Sequence, residues 1–270
     1  MLATFNKNLF KNKLALITGG GSGINLGITR ALMQLGCDTI ILSRNKEKLQ
    51  KVSASLEKET NQKCHYISAD VRHFDDMEAK IKDKMLSLNK DIDFLFAGAA
   101  GNFLAPVSKL SSNAFKTVID IDLIGTFNTV KACTPFIKKD PSSVIITITA
   151  TLQYLNMPLQ AHASAAKAAV DSLTITLANE LAPIRVLGIA PGPIEGTEGI
   201  TRLMPADFKK SKIDMIPLKR LGHVDDIANA AVFLCSPAAS YITATVLVVD
   251  GGSWRTDGML FGLMANAAKL

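Results

Sequence analysis

A run of small residues at positions 19–23, Gly-Gly-Gly-Ser-Gly, has the composition and the setting of a phosphate-binding turn. It follows the apolar run 14–18 and precedes an apolar helical pattern that extends to about Leu35. In such a turn backbone N–H groups approach a pyrophosphate, and the helix N-terminus adds a partial positive charge. The segment therefore predicts a dinucleotide site, and a tight turn without a ligand is the alternative interpretation.

The segment after the second apolar run indicates which dinucleotide is bound. It reads Ser43-Arg44-Asn45-Lys46, and the first carboxylate comes only at Glu47. A carboxylate at this place accepts hydrogen bonds from the ribose hydroxyls of NAD, whereas an arginine neutralises the 2′-phosphate of NADP. A bidentate guanidinium next to an ammonium therefore favours NADPH. The alternative is a solvated arginine at the start of a polar helix.

These segments belong to a chain in which short apolar runs alternate with helical patterns. Strands are predicted at 14–18, 38–43, 63–68, 94–97, 144–149, 184–190 and 245–249. Helices are predicted to about 35 after the glycine run and at 47–59, 75–88, 115–137, 163–181 and 224–234. Strands that are apolar along their whole length indicate a parallel sheet covered on both faces. We therefore predict an α/β fold, with a Rossmann-type doubly wound parallel sheet in a single three-layer α/β/α domain.

The predicted domain spans residues 13–257, between an N-terminal extension (1–12) and a C-terminal tail (258–270). Residues 192–218 lack a clear strand and follow the C-terminal end of one, where sheets of this kind bind ligands. We interpret them as a substrate lid. Asp70-Val71 ends the third strand at the same edge, where a carboxylate can meet the adenine amine.

Composition excludes several other kinds of protein. Apolar residues make up 48% of the 270 residues, and no stretch reaches the ~20 apolar residues of a membrane-spanning helix. The first residues lack the apolar core of a secretory signal peptide. Four widely spaced cysteines predict reduced thiols and no metal site. The net charge of +6 is spread along the chain, which argues against nucleic acid as the partner but suits a phosphorylated cofactor.

Taken together, these motifs resemble the short-chain dehydrogenase/reductase family between Lys13 and Gly252. The family's landmarks occur in its own order at 18–24, 70–71, 191–192 and 249–252. Asn25 departs from the pattern because it stands where the last glycine of the turn is usual, which predicts looser packing of helix on strand. The cofactor-binding residues that the resemblance implies are Gly19, Gly20, Gly21, Ser22, Gly23, Ile24, Arg44, Asn45, Lys46, Asp70, Val71, Lys167, Pro191, Gly192, Pro193, Ile194 and Thr197.

The catalytic centre departs further from the family pattern. Members that reduce ketones carry Tyr-x-x-x-Lys, in which the tyrosine is the acid and the lysine lowers its pKa and holds the nicotinamide ribose. Here Lys167 is present, but Ala163 stands at the tyrosine position and Ala150 at that of the partner serine. Asp122 replaces the asparagine of the fourth-helix motif. An alkoxide beside Ala163 would have no phenol to protonate it, so simple carbonyl reduction is disfavoured.

One branch of the family, the 2,4-dienoyl-CoA reductases and above all their peroxisomal type, shares these losses. The chain is similar to that branch at 99–103, 113–122, 165–170, 190–199 and 238–241. Its last residues, Ala268-Lys269-Leu270, are a variant of the Ser-Lys-Leu peroxisomal address. The resemblance implies NADPH-dependent conversion of 2,4-dienoyl-CoA to 3-enoyl-CoA in the peroxisomal β-oxidation of unsaturated fatty acids. It also implies a homodimer or homotetramer, and a peroxisomal import receptor that binds the terminal tripeptide.

The chemistry of this branch does not need the missing phenol. Hydride adds to C5 of the dienoyl thioester, the charge reaches the thioester oxygen, and protonation at C2 completes the reaction. The resemblance implies that Lys167 binds the ribose and supports the proton path, while Asp122 and Asp250 hold the water that delivers the proton. Asp250 could also be a simple turn carboxylate. The residues implied to contact the acyl-CoA are Arg72, Phe103, Ser111, Ser112, Asn113 and Arg202.

Two other functions stay open at this point. The chain could be an NADPH-dependent carbonyl or alcohol oxidoreductase with a relocated acid such as Tyr154, which follows the same strand as Thr149. It could also be a catalytically silent NADPH-binding module that assembles with partners, since loss of the tyrosine and serine fits that interpretation equally well.

Overall fold

Seven strands lie side by side in one parallel sheet in the computed structural model, which describes residues 4–155, 157–197 and 206–255. The strands are β1 (Leu14–Thr18), β2 (Asp38–Ser43), β3 (Cys64–Ser68), β4 (Phe94–Ala97), β5 (Val144–Ile148), β6 (Arg185–Pro191) and β7 (Thr245–Val249). Their order is β3-β2-β1-β4-β5-β6-β7. Each strand lies within one residue of its predicted position. The order reverses between β1 and β4, which creates the crevice where such sheets bind ligands.

Helices connect the strands and cover both faces of the sheet. They are α1 (Gly23–Gln34), α2 (Lys46–Thr60), α3 (Phe74–Leu88), α4 (Ser112–Ile119), α5 (Gly125–Cys133), α6 (Leu152–Leu155), α7 (Ala161–Glu180), α8 (Ala206–Met215) and α9 (Val224–Cys235). The helix predicted at 115–137 is a composite, because a π-helical turn (Asp120–Ile124) joins α4 to α5 and a 3₁₀ turn (Thr134–Phe136) ends it. The predicted lid at 192–218 contains α8, and residues 198–205 lie outside the described ranges.

Alternation of side chains along the strands builds two apolar layers, one on each face of the sheet. In β1, Ala15 and Ile17 pack with α1 and α9, whereas Leu14 and Leu16 pack with α3, α5 and α7. Both faces of the sheet are therefore buried, which confirms the predicted three-layer α/β/α class. No helix in the described ranges combines the length and apolarity needed to cross a membrane.

Asn25 ties the start of α1 to the loop after β4. Its Nδ2 donates a hydrogen bond of 2.7 Å to the carbonyl of Gly98. A Cβ added at Gly98 would lie only 2.4 Å from Asn25 Oδ1, so the larger side chain at one position occupies the space that the other leaves empty. The space is thus filled and the amide nitrogen is hydrogen-bonded, while Oδ1 has no partner among the described residues, and the looser packing predicted from the sequence was wrong. The reason is a compensating glycine 73 residues away.

We expect Gly98→Ala to lower the free energy of unfolding by about 1–3 kcal/mol, because the added methyl group overlaps the Asn25 side chain. The double variant Asn25→Gly/Gly98→Ala should lose less than the sum of the two single variants, since removing the amide clears the overlap. Urea denaturation of the four proteins measures this coupling. Additive losses would contradict the matched packing of the two residues.

Candidate active site

The centre of the site is an ion pair that is almost completely withdrawn from water. Asp122 is 1% exposed and Lys167 is 6% exposed, and Lys167 Nζ lies 3.1 Å from Asp122 Oδ2. The same Nζ donates to the carbonyl of Ile148 at the end of β5, over 3.0 Å. The backbone N–H of Gly101 donates to Asp122 Oδ1 over 2.7 Å. A buried pair needs such supporting hydrogen bonds, because desolvation of both charges is otherwise uncompensated.

Asp122 reaches this position from the π-helical turn between α4 and α5. Its carbonyl accepts a hydrogen bond of 2.6 Å from Thr126 Oγ1, which anchors the widened turn to α5. A π turn places an extra residue within a helix and is often found at functional sites. The sequence motif around Asp120 and Asp122 pointed to this place, but hydrophobic periodicity gave no sign of the π geometry.

The glycine turn has the shape that a pyrophosphate requires. Gly19 has a φ of +71°, which favours glycine, and a Cβ at Gly20 would lie 2.7 Å from Ile41 Cγ2. Ser22 makes no side-chain cap at the N-terminus of α1. A Cβ at Gly23 would meet no described heavy atom within 4 Å, so this end of the helix faces open space. Uncapped amides beside open space fit the phosphates of a dinucleotide.

The segment predicted to choose between NAD and NADP lies at the exposed end of β2. Arg44, Asn45 and Lys46 are all exposed. Asn45 Oδ1 accepts a hydrogen bond of 2.9 Å from the N–H of Lys48, so this side chain caps α2. The carbonyl of Arg44 accepts a hydrogen bond of 3.1 Å from Ser68 Oγ, which joins this segment to the end of β3.

Asp70 and Arg72 form a bidentate ion pair at the end of β3. The guanidinium donates to both carboxylate oxygens, at 2.7 Å for Nη2 to Oδ2 and 3.1 Å for Nε to either oxygen. These hydrogen bonds hold the pKa of Asp70 at about 2. Arg72 also lines a cavity of about 310 Å³ with Lys116 and Asp120. A residue expected to contact the cofactor and one expected to contact acyl-CoA are therefore bonded to each other.

Asn128 holds this loop against α5 and was missed by sequence reasoning. Its Nδ2 donates to the carbonyl of Val71 over 2.9 Å, and the side chain is buried. A Cβ at Gly125 would lie 2.5 Å from Val71 Cγ2, so the glycine permits the close approach of the helix. The signal available in the sequence was a polar residue among the apolar residues of the predicted 115–137 helix.

Asp250 organises the turn that follows β7. Its two carboxylate oxygens accept hydrogen bonds from the N–H groups of Gly252 (2.8 Å) and Trp254 (2.7 Å). A Cβ at Gly192 would lie 2.5 Å from Asp250 Cβ, so the turn touches the segment after β6. In the part of the chain that the structure describes, no hydrogen bond joins Asp250 to Asp122.

The segment after β6 is held in place along its length. The N–H of Gly192 donates to the carbonyl of Val249 over 3.0 Å, and the carbonyl of Pro193 accepts from Gly222 over 3.0 Å. Ile194 is buried, and its carbonyl accepts a hydrogen bond of 2.8 Å from Thr197 Oγ1. Among the predicted acyl-CoA contacts, Arg202 lies outside the described residues.

The loop after β4 is attached to the start of α7. Asn102 Nδ2 donates to Gln160 Oε1 over 2.6 Å, and Asn102 Oδ1 accepts from the N–H of Phe103 over 2.8 Å. The Phe103 ring, 37% exposed, stacks on the imidazole of His162 with centroids 4.3 Å apart. His162 was also missed, because a single histidine next to Ala163 on an apolar helix gives no pattern in sequence.

The predicted acyl-CoA residues at the start of α4 have exposed positions. Ser111 caps the helix by accepting a hydrogen bond of 3.1 Å from the N–H of Ala114. Ser112 and Asn113 follow, and Ser112 lines an apolar cavity of about 270 Å³ with Val107 and Phe115. The cavity lies beside α7, since Ala161 forms part of its wall.

Tyr154 does not have the properties of a relocated acid. Its hydroxyl donates to Asp171 Oδ2 over 2.6 Å, and its ring packs on Trp254. Burial and the hydrogen bond to the carboxylate raise the pKa of Tyr154 well above its ordinary value. A phenol that is bonded to a carboxylate and harder to ionise is a poor proton donor to a substrate. This geometry disfavours the carbonyl oxidoreductase alternative.

Comparison with known proteins gives concordant matches. The family model described as Enoyl-(Acyl carrier protein) reductase matches residues 19–253. A peroxisomal 2,4-dienoyl-CoA reductase of Saccharomyces cerevisiae is 44% identical, over 96% of this chain and 89% of the yeast protein. The peroxisomal 2,4-dienoyl-CoA reductase of Rattus norvegicus is 45% identical, over 98% of this chain and 93% of the rat protein. Both names specify (3E)-enoyl-CoA as the product.

A solved structure supports the same assignment of fold. The crystal structure of a gluconate 5-dehydrogenase from Burkholderia cenocepacia, in complex with NADP and tartrate, has a TM-score of 0.86 to this chain. The two are 28% identical, and the match covers 94% of this chain and 99% of the dehydrogenase.

We expect Arg72→Gln to raise the pKa of Asp70 from about 2 towards the ordinary value of about 4, because the paired guanidinium is lost. The stabilisation from a carboxyl with a depressed pKa is complete above its ordinary pKa and is lost as pH falls towards 2. The carboxyl carbon shift of Asp70, followed by NMR from about pH 7 to about pH 3, reports the titration.

The matched control is Arg30→Gln, which removes an exposed arginine paired with Glu59. It should leave the Asp70 titration unchanged. An Asp70 carboxyl that stays ionised to about pH 3 in Arg72→Gln would show that the pair does not set this pKa.

Proposed function

The chain belongs to the short-chain dehydrogenase/reductase family, and from this premise we propose that it reduces 2,4-dienoyl-CoA to 3-enoyl-CoA with NADPH. The observation that carries the proposal is the buried Lys167–Asp122 pair, one helical turn from Ala163, which offers no acid. A conjugated thioester suits such a pocket, because the charge that hydride addition creates is delocalised onto the thioester oxygen. Similarity to peroxisomal 2,4-dienoyl-CoA reductases over nearly the whole chain supports the same substrate class.

NADPH, when bound, would supply a hydride to C5 of the substrate. The protein has to bind the thioester, exclude bulk water and hold one proton source near C2. No alkoxide forms in this sequence of steps, so a phenol at position 163 is not needed. The product retains a double bond between C3 and C4, in agreement with the (3E)-enoyl-CoA named for the yeast and rat relatives.

Lys167 is proposed to hold the nicotinamide ribose. An ammonium has three N–H groups. Two of them are directed to Asp122 and to the carbonyl of Ile148, which fix the direction of the third. A hydrogen bond from this third N–H to a ribose hydroxyl would position the nicotinamide without further rearrangement of the side chain.

Asp122 and Asp250 are proposed to hold the water that protonates C2. Each Asp122 oxygen has one described partner, Gly101 N–H or Lys167 Nζ, and a carboxylate oxygen can accept a second hydrogen bond. The Asp250 oxygens are likewise each engaged once, by backbone N–H groups of its own turn. The support for this role is stronger for Asp122 than for Asp250, because Asp122 lies directly against Lys167.

The choice of NADPH is proposed from the charges at the end of β2. Arg44 and Lys46 are exposed there, and no carboxylate precedes Glu47. A 2′-phosphate would therefore meet two cations, whereas the free ribose of NADH would find no acceptor.

The cellular setting follows from the same relatives. We place the protein in the peroxisome, as both curated relatives are peroxisomal. Binding of Ala268-Lys269-Leu270 by the import receptor is a proposal, and this tripeptide lies outside the described residues. A homodimer or homotetramer is also proposed, and light scattering of the purified protein would distinguish the two.

The purified protein should oxidise NADPH when a 2,4-dienoyl-CoA is added, and NADH far more slowly, because only NADPH engages Arg44. The absorbance of the reduced nicotinamide measures both rates. A plain ketone and a blank without substrate are the comparison arms. Oxidation with the ketone alone would favour a carbonyl reductase, and tight NADPH binding without turnover of either substrate would favour a silent binding module.

Asp122→Asn should lower kcat by about 100-fold or more, because an amide holds the protonating water less well than a carboxylate. The Kd for NADPH should change only a few-fold, and Lys167→Ala should abolish turnover. Stopped-flow kinetics and cofactor fluorescence measure the two quantities. Asp140→Asn, a matched change at a partly exposed carboxylate before β5, should leave both near wild type. Near-normal kcat in Asp122→Asn would remove Asp122 from the mechanism.

A further inference from the structure

His162 is a fully buried imidazole without a hydrogen-bond partner among the described residues. It is 0% exposed, and neither Nδ1 nor Nε2 makes a hydrogen bond. The backbone carbonyl of Phe103 is close enough to raise the pKa of the imidazole, but its position does not satisfy the geometry of a hydrogen bond. A buried polar group without a partner is destabilising, and proteins seldom contain one without a functional reason. The ring is therefore arranged for a partner that the described residues do not supply.

The ring lies at the start of α7, against the loop after β4 and near the Lys167–Asp122 pair. His162 is the second residue of α7, and it stacks on Phe103 at 4.3 Å with an interplanar angle of 28°. The charge of Asp122 acts on it as well. The imidazole thus lies between the loop after β4 and the Lys167–Asp122 pair. Phe103 fixes the plane of the ring, so its N–H points in a defined direction before any ligand arrives.

The protonation state makes His162 a neutral donor. Burial lowers the pKa of His162. The Phe103 carbonyl and the Asp122 charge oppose that effect only in part. A neutral imidazole carries one N–H donor and one acceptor nitrogen. Neutral imidazole is an effective donor to an oxygen on which enolate charge develops, because it stabilises the charge without giving up its proton.

Several side-chain donors near this end of α7 are already engaged, although Ser164 Oγ is buried without a partner among the described residues. Tyr154 and Gln153 both donate to Asp171. Asn102 donates to Gln160. A dienolate oxygen needs at least one donor, and neither Tyr154 nor Gln153 can serve without breaking a contact within the protein. His162 can serve without any such loss.

We propose that His162 is a catalytic residue whose imidazole N–H donates a hydrogen bond to the thioester oxygen of the dienoyl-CoA. This inference rests on the proposed function. Hydride addition forms the C5–H bond, oxidises NADPH to NADP⁺, and moves the conjugated π electrons until the negative charge rests on the thioester oxygen. Water then supplies the proton at C2, and the carbonyl reforms. The N–H bond of His162 stays intact throughout.

The test compares two substitutions that separate stacking from hydrogen bonding. His162→Phe keeps a ring against Phe103 and removes the donor, so kcat should fall by about 100-fold or more while KM for the dienoyl-CoA changes little. Its melting temperature should be equal to or above that of wild type, because no unpaired nitrogen remains buried. His162→Gln restores an N–H and should recover at least about tenfold of the lost kcat. The matched control, His65→Phe on β3, should keep wild-type kcat.

A second measurement detects the hydrogen bond without turnover. In a complex with NADP⁺, which cannot donate hydride, a donor on the thioester oxygen polarises the dienoyl system and shifts its absorption to longer wavelength. Wild type and His162→Gln should show the shift, and His162→Phe should bind the same dienoyl-CoA without it. An equal shift in His162→Phe, or a kcat within about threefold of wild type, would overturn the assignment. Wild type that binds NADPH but never reduces dienoyl-CoA would instead contradict the proposed function.

Discussion

The pocket depends on one electrostatic constraint, which is that an ammonium and a carboxylate must remain charged with almost no contact with water. Lys167 and Asp122 meet this demand 3.1 Å apart, and each has a backbone partner, the Ile148 carbonyl or the Gly101 N–H. Removal of either charge from such a pair costs about 3–5 kcal/mol, because the remaining charge stays buried. Three separate elements, the end of β5, the loop after β4 and the π turn, are therefore fixed relative to α7.

The fold could be predicted from the sequence because each part of it rests on local patterns. Seven apolar runs and the helical patterns between them gave every strand within one residue. The π turn was not predictable in the same way, since apolar spacing over 115–137 is nearly the same for one continuous helix as for two helices joined by a wider turn. The Asn25–Gly98 fit was also invisible, because it joins residues far apart in sequence whose volumes matter only after folding.

The site was predicted in part, and the reasons differ from residue to residue. The glycine turn could be read from residue type and position, because its chemistry comes from the backbone. Asp122 and Lys167 were found through family resemblance, and their direct pairing became visible only in three dimensions. His162 and Asn128 carry no motif, and their importance lies in what surrounds them. Arg72 was expected at the substrate, yet its bidentate bond with Asp70 depends on the conformation of a loop that sequence alone does not specify.

The π turn also governs how tolerant this region is to changes in chain length. A regular helix advances by about 100° per residue, so the additional residue at Asp120–Ile124 offsets the rotational phase of α5 from that of α4. That offset lets α4 rest on α7 while α5 rests on α3. Deleting one residue here would restore an ordinary helix at the expense of turning one of the two contact faces away from its neighbour. Homologous chains should therefore keep the number of residues in this segment constant.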